Sequence, residues 1–210
     1  MGSKWLYLVR MDVAHDRQTL FNELYNTEHL PALLAVPGVR RASRYRNASP
    51  TDPRYLAMYE LDDPAVVESA QWKAASDSGR WPTEVRPFTM NRHLVLYEHI
   101  GPTTGLTYST PYIFLVMMDV EAQRETLFNE LYDSEHLPVM LGLSGCVNAV
   151  RYRTRTPGEP RYLAAYEVAR ADLPNSALWN DTSDIGRWKP EVRPYTHNKR
   201  FILCERTWPK

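Results

Sequence analysis

The feature that most constrains the fold of this chain is an internal repeat. The segment FNELYNTEHLP at residues 21–31 returns as FNELYDSEHLP at residues 128–138, with nine of eleven letters unchanged. Other equivalent residues, such as Trp81 and Trp188, keep the same separation of 107 positions. A period of about 100 residues is far longer than the repeats of solenoid proteins. The sequence therefore predicts two fused copies of one domain.

Each copy is long enough to bury a core of its own. We expect one repeat at residues 1–100 and the other at 112–210. The segment GPTTGLTYSTP at 101–111 is rich in Gly, Pro, Ser and Thr, which is typical of a linker.

Hydrophobic patterning predicts the order strand, helix, strand, strand, helix, strand in each repeat. WLYLVRMDV at 5–13 and YIFLVMMDV at 112–120 are apolar almost throughout, as central strands are. A β-α-β-β-α-β order is that of the ferredoxin-like split βαβ unit. The predicted fold class is therefore α+β, with two ferredoxin-like repeats that pack face to face as a pseudo-two-fold barrel within one chain.

Composition excludes several classes of partner. Lys and Arg total 25, as do Asp and Glu, so no basic excess exists to attract nucleic acid or an anionic membrane. No apolar run approaches the roughly 20 residues of a membrane span, and the N-terminal segment lacks the apolar core of an export signal. Cys146 and Cys204 stand at non-equivalent positions, which argues against a disulfide framework. We expect a cytoplasmic protein without a nucleic-acid or membrane partner.

The repeated segment places a proline where a helix tolerates it poorly. In an α-helix the ring of Pro31 would strike the carbonyl of Thr27, and Pro138 would strike that of Ser134. We therefore predict that the helix breaks or restarts near residues 27–28, with Thr27 and Ser134 as N-caps of the new turn. Such a break would aim the neighbouring histidine inward.

The repeated segment also carries a recognisable motif. Phe-x-x-x-Tyr-x-x-x-His-x-Pro followed by Pro-Gly resembles the signature of the EthD-like family of the dimeric α+β barrel superfamily. The matching residues are Phe21, Tyr25, His29, Pro31, Pro37 and Gly38 in the first copy, and Phe128, Tyr132, His136, Pro138 and Gly145 in the second, where Ser144 replaces a proline. The resemblance implies an intrachain dimeric α+β barrel with a pocket between helices and sheet. It also implies cofactor-free monooxygenase, lactone isomerase, polyketide cyclase or haem-binding relatives.

The candidate catalytic residues are the histidines and tyrosines of this motif. His29 and His136 are the histidines that occupy equivalent positions in both copies, and an imidazole can exchange a proton near neutral pH. Tyr25 and Tyr132 are candidates to polarise a substrate oxygen. The alternatives are a buried histidine bonded to a backbone carbonyl, and a tyrosine that only packs in the core.

Candidate substrate-binding residues come from three other places. Two arginines alternate along each second strand and could hold a carboxylate, unless strand carboxylates pair with them. The tryptophans at equivalent positions of the two copies could cover a planar substrate or only close the core. The phenylalanines of the motif share a helical face with its tyrosine and histidine. These residues are Arg44, Arg46, Arg151, Arg153, Trp81, Trp188, Phe21 and Phe128. Tyr55 and Tyr59 are interpreted as packing residues of the sheet.

Together these residues predict a cofactor-independent enzyme, an isomerase that transfers protons on a small unsaturated or aromatic carboxylic acid in aromatic-compound catabolism. The alternatives are a cofactor-free monooxygenase or polyketide-type cyclase, and a binding protein for a hydrophobic metabolite without catalysis. We expect no cofactor and no metal, because each copy offers a single shared histidine and no cysteine cluster. The expected assembly is a monomeric pseudo-dimer or a homodimer.

Overall fold

The computed structural model describes residues 3–49 and 52–209 and divides into two compact units. The N-terminal unit contains residues 3–97 together with 207–209, and the C-terminal unit contains residues 98–206. Both are mixed α+β units with an antiparallel sheet, as predicted. None of the helices in the described part of the chain has the length and apolar character that a membrane crossing requires.

Four strands form the sheet of the N-terminal unit, in the order β4-β1-β3-β2. Tyr7 on β1 lies opposite Tyr59 on β3, and Ala42 on β2 lies on the other side of Tyr59. Strand β1 has the bounds that its apolar run predicts, and most of its residues are buried on both faces. The strands are β1 Trp5–Val13, β2 Val39–Asn47, β3 Tyr55–Leu61 and β4 Thr89–Ile100.

The helices of this unit cover one face of the sheet. Buried Leu24, Leu30 and Leu33 form one core with Val9 and Met11 of β1. The helices are α1 Gln18–Leu24, a π-helical turn Tyr25–His29, α2 Leu30–Leu34, α3 Ala70–Ser76 and α4 Trp81–Glu84, with short 3-10 turns at His15–Arg17, Pro64–Glu68 and Arg86–Phe88.

The C-terminal unit has the same order of elements, with strands arranged β8-β5-β7-β6. Residues 98–100 pair with β6 and belong to this unit. Its strands are β5 Tyr112–Val120, β6 Cys146–Arg153, β7 Tyr162–Val168 and β8 Thr196–Trp208. Its helices are α5 Glu125–Leu131, a π-helical turn Tyr132–His136, α6 Leu137–Leu141, α7 Ala177–Ser183 and α8 Trp188–Glu191, with 3-10 turns at Ala122–Arg124, Leu173–Asn175 and Arg193–Tyr195.

The segment predicted as a linker is held against the C-terminal unit. Thr107 donates hydrogen bonds from its backbone N–H and its hydroxyl to Glu167, and Ser109 donates its backbone N–H to the same carboxylate. Leu106, which precedes Thr107, is buried. These contacts give the buried Glu167 of β7 the hydrogen bonds that a buried carboxylate needs.

The helix that carries the repeated motif widens instead of breaking. The backbone N–H of Leu30 donates to Tyr25 O, five residues back, which is the hydrogen bond of a π-helical turn. The extra residue in this turn accommodates the Pro31 ring, and the chain continues directly into α2. Thr27 donates its hydroxyl to Glu23 O and caps nothing. The predicted helix break and the predicted N-caps are therefore wrong. The same holds in the C-terminal unit, at Ser134 and Leu137.

A carboxylate of the π-helical turn, that of Glu28, fixes the loop before α4. Glu28 Oε2 accepts the backbone N–H of Arg80, the N-cap residue of α4, at 3.0 Å. Gly79 has φ +64°, and a Cβ at this position would lie 2.6 Å from Glu28 Oε2. Glycine therefore provides both the left-handed backbone and the space for the carboxylate.

We expect Gly79→Ala to lower the free energy of unfolding by about 2 kcal/mol, about half from the left-handed backbone and half from displacement of Glu28. Gly158 is the matched control, because it has φ +80° and no atom within 4 Å of its would-be Cβ. Gly158→Ala should cost about 1 kcal/mol. Urea unfolding measures both. In a Glu28→Ala background the two glycine substitutions should cost the same; an unchanged difference there would contradict the role of Glu28.

Candidate active site

The N-terminal unit encloses a cavity of about 330 Å³ between its helices and its sheet. Both aromatic rings and charged side chains contribute to its lining. The lining residues on the sheet are Tyr7, Val9, Met11, Tyr59, Arg92 and Leu94, and those on the helices and loops are Tyr25, His29, Leu33, Val67, Trp72, Lys73, Ser76, Asp77, Trp81 and Arg86.

His29 reaches this cavity from the last position of the π-helical turn. Only 6% of its surface is exposed. Its ring stacks on the indole of Trp81, with centroids 4.3 Å apart and planes 15° apart, and the edge of Tyr25 closes another side at 5.1 Å. Nδ1 has no hydrogen-bond partner among the described residues. This nitrogen is therefore a polar group that a ligand can satisfy.

The surroundings of His29 keep its imidazole neutral. Burial, and after it the positive charges of Arg86, Arg44 and Arg92, lower its pKa from 6.5 to about 3, against a smaller opposing effect of Asp77. A group with this pKa is a weak base at neutral pH. It acts best as a neutral hydrogen-bonding group, since each imidazole nitrogen either accepts or donates according to the tautomer.

Tyr25 and Tyr59 form a hydrogen-bonded pair at one end of the cavity. Their hydroxyl oxygens lie 2.9 Å apart, and both side chains are buried. Burial raises the pKa of both phenols, most strongly for Tyr59. Both therefore stay protonated, and the hydroxyl that accepts within the pair keeps its own proton for a ligand oxygen.

Arg44 lies behind Tyr25 and is not among the residues that line the cavity. Its guanidinium stacks over the Tyr25 ring at 4.1 Å and donates to the side-chain oxygens of Asn22 and Asn26. It therefore anchors α1 and the π-helical turn to β2. Arg46, two residues further along β2, is exposed. The register of β2 against β3 is unbroken from Arg44 to Arg46, so the two arginines share one face of the strand, as the strand alternation predicted, but differ in burial.

In the C-terminal unit, Arg151 stacks over Tyr132 at 4.2 Å and binds Asp133 and Asn129. Arg153 pairs with Glu98 at 2.9 Å. The pair Arg153–Glu98 is the pairing with a strand carboxylate that the sequence left open as an alternative, whereas the partners of Arg151 lie on α5 and the π-helical turn.

The remaining predicted site residues divide between the wall of the cavity and the core behind it. Trp81 lines the cavity and covers the His29 ring. Phe21 is fully buried behind it, 5.6 Å from the Trp81 ring and 4.5 Å from that of Tyr55. Phe21 thus supports the wall and is not part of the lining. Phe128 holds the same position beside Trp188 and Tyr162.

Several residues that line the cavity were not predicted from the sequence. Tyr59 was interpreted as a packing residue, and Tyr7, Trp72 and Arg92 had no assigned role. The period of two along β1 would have pointed to Tyr7, because it shares a face with Val9 and Met11. No local pattern could show that Tyr59 meets Tyr25, since these residues are 34 positions apart.

The C-terminal unit repeats the aromatic cluster. His136 stacks on Trp188 with centroids 4.4 Å apart, and Tyr132 and Tyr166 share a hydrogen bond of 2.8 Å. Burial, with help from Arg193 and Arg151, again lowers the pKa of His136 to about 3.

The equivalents of two lining residues are larger or less polar in this unit. Phe114 replaces Tyr7 and Phe201 replaces Leu94, and the two rings stack with centroids 6.3 Å apart. The same aromatic cluster therefore stands next to a different sheet surface.

Comparisons with known proteins identify the fold. The sequence matches no known family and no curated protein. Solved structures match over nearly the whole chain. A provisionally named monooxygenase from Fusobacterium nucleatum has a TM-score of 0.64 and 10% identity, covering 98% of this chain and 93% of that one. A similarly named protein from Lactobacillus acidophilus has a TM-score of 0.60 and 8% identity, covering 98% and 94%. A chlorite dismutase variant from Candidatus Nitrospira defluvii, in complex with cyanide, has a TM-score of 0.70 and 13% identity, covering 99% and 92%.

These neighbours correct the expected reaction class. They are named as monooxygenases and chlorite dismutases, so the isomerase prediction is wrong and the monooxygenase alternative fits better. A pKa of about 3 explains the error physically, because such an imidazole is a poor proton shuttle at neutral pH. At these identities the similarity establishes a shared fold, that of the dimeric α+β barrel proteins.

The lining residues do not fit haem. An axial histidine must present a ring nitrogen to iron, with room for the macrocycle beside it. The face of His29 is covered by Trp81, and a cavity of about 330 Å³ lies at the small end of the range for ligand pockets. In the part of the chain that the structure describes, no cluster of three or more His, Cys, Asp or Glu side chains could hold a metal ion.

The low pKa values of the buried histidines predict that the folded state loses stability in mild acid. Each folded pKa of about 3 lies below the unfolded value near 6.5, so the unfolded chain binds protons that the folded chain does not. This destabilising effect on the folded state is absent above pH 6.5 and grows progressively as the pH falls from 6.5 to about 3. Between pH 7 and pH 5, His29→Gln should remove about 2 kcal/mol of the acid-induced loss measured by urea unfolding. A variant with the same pH dependence as the original chain would show that His29 titrates normally.

Proposed function

We propose that the N-terminal unit is a cofactor-independent monooxygenase for a small, flat, oxygenated organic molecule. The observation that carries the proposal is the unpartnered Nδ1 of His29 beside the Tyr25–Tyr59 hydroxyl pair in an aromatic cavity. Monooxygenases among the proteins that share the fold support it. Trp72 supplies an aromatic surface in the lining against which a flat molecule can pack.

The chemistry assigns different tasks to these groups. A substrate CH2 conjugated with a carbonyl loses a proton to solvent water, and the hydroxyl of Tyr25 or Tyr59 stabilises the enolate oxygen that results. The carbanion adds to dioxygen, and return of the proton gives a hydroperoxide. Loss of water from the hydroperoxide leaves a ketone, so that CH2 and O2 become C=O and H2O. The neutral imidazole of His29 holds a second substrate hydroxyl or carbonyl through Nδ1.

The finer family assignment belongs to the same proposal. We propose that the chain is a tandem fusion of two EthD-like, ferredoxin-like repeats. The motif of the π-helical turn and the β-α-β-β-α-β order in each unit support this assignment. An organic-acid substrate and a cytoplasmic location stay predictions from the sequence.

One observation favours a second candidate, a binding protein without catalysis. The low pKa of His29 and the raised pKa values of Tyr25 and Tyr59 keep all three groups uncharged at neutral pH. A neutral aromatic cavity binds a flat metabolite without activating it. The two candidates differ in whether bound ligand is converted.

Oxygen consumption separates them. Anthrone and 1-naphthol are suitable probes, because both are flat, and the CH2 of anthrone lies opposite its carbonyl across the central ring, so that loss of a proton there gives an enolate. We expect anthrone turnover with one 18O atom from 18O2 in the ketone product, measured by an oxygen electrode and mass spectrometry. Tyr25→Phe should lower kcat/KM by about 100-fold, through loss of the group that stabilises the enolate.

Matched histidine variants complete the test. His29→Asn should lower kcat/KM at least tenfold, and His136→Asn, the equivalent change in the C-terminal unit, should leave most of the activity. Probe binding without oxygen uptake would contradict the monooxygenase and support the binding protein. Equal losses in the two histidine variants would contradict the assignment of activity to the N-terminal unit.

A further inference from the structure

We infer that the N-terminal cavity selects an anionic ligand and that Arg92 is the residue that recognises the negative charge. This inference deepens the proposed function by naming its substrate class. It begins from strand β4, where Arg92 and Leu94 alternate onto the face that lines the cavity. The guanidinium therefore stands at the edge of the space that the aromatic side chains enclose.

The charged side chains of the lining are unbalanced. Lys73, Arg86 and Arg92 are cationic, and Asp77 is the acidic residue among them. Arg86 is already engaged, because it binds the Asp77 carboxylate and both oxygens of Ser76. The single acidic side chain of the lining is thus neutralised within the cavity wall.

The two other cations differ in what holds them. The Lys73 ammonium lies 3.9 Å from Glu68, in an exposed pair that contributes little. Arg92 has no hydrogen bond and no ion pair among residues 3–49 and 52–209. A ligand can therefore pair with Arg92 without breaking a contact inside the protein.

The chemistry of Arg92 indicates a planar oxyanion. A guanidinium forms two parallel hydrogen bonds with a carboxylate, and the rim of an aromatic cavity strengthens them by lowering the local polarity. Tyr7 adds a donor on the neighbouring strand, because burial raises its pKa to about 12 and keeps the hydroxyl protonated. A flat aromatic carboxylate satisfies both ends of this cavity, with its ring between the aromatic side chains and its charge at Arg92.

The C-terminal unit lacks several of these groups at equivalent positions. Lys199 replaces Arg92, Asn180 replaces Lys73, and Phe114 replaces the hydroxyl-bearing Tyr7. Lysine is a point charge without the fork that binds a carboxylate at two atoms. Anion selectivity is therefore a property of the N-terminal unit, and Lys199 provides a matched control for Arg92.

Binding of 2-naphthoate and of its neutral analogue 2-naphthamide tests the inference. Isothermal titration calorimetry on the full chain should show tighter binding of the naphthoate. Arg92→Gln should weaken naphthoate binding about tenfold and leave naphthamide binding unchanged, since a charge-assisted hydrogen bond at a solvated rim is lost. Arg92→Lys should recover part of the preference, and Lys199→Gln should not alter it.

Three outcomes would overturn the inference. They are equal affinity for the two probes, an equal loss of affinity for both probes in Arg92→Gln, and a loss of the preference for naphthoate in Lys199→Gln. Because no turnover is measured, this result is independent of the proposed reaction. A chain that prefers naphthoate through Arg92 but consumes no oxygen would contradict the monooxygenase and leave the anion site intact.

Discussion

The stacking of His29 on Trp81 is the contact on which the candidate site depends. The π-helical turn sets the imidazole at the end of a widened turn, and Glu28, one residue earlier, holds the start of α4 through the Arg80 backbone. Adjacent residues of one turn therefore fix both partners of the stack. Without that turn, the proline two residues beyond His29 would disrupt an α-helical hydrogen-bond ladder at this point.

The same arrangement explains the electrostatics of the site. Covering the imidazole with an indole and a phenol removes it from water, and three arginines around the cluster disfavour a further positive charge. The cluster is thus neutral at its centre and cationic at its rim. Such a site stabilises negative charge that arrives with a ligand or develops on it. An oxidation that passes through an enolate needs that environment, and a proton shuttle needs a more basic imidazole.

Much of the fold and of the candidate site could be predicted from the sequence, and the wrong predictions have physical causes. The apolar runs at 5–13 and 112–120 located the central strands because burial on both faces leaves no polar alternation. The repeat located the histidine and tryptophan of the cluster. The proline rule failed because it assumes α-helical geometry, and a π-helical turn relieves the clash that the rule describes. Strand alternation could not show that the partners of Arg44 lie on a helix about 20 residues earlier in the chain.

The 15N chemical shifts of the His29 ring, measured with and without 1-naphthol at pH 6, test the central claim most directly. The account predicts a neutral imidazole whose Nδ1 resonance moves when the naphthol hydroxyl bonds to it, while the His136 resonances move less. A His29 ring that is an imidazolium at pH 6, or an Nδ1 resonance that ignores a bound naphthol, would contradict the account.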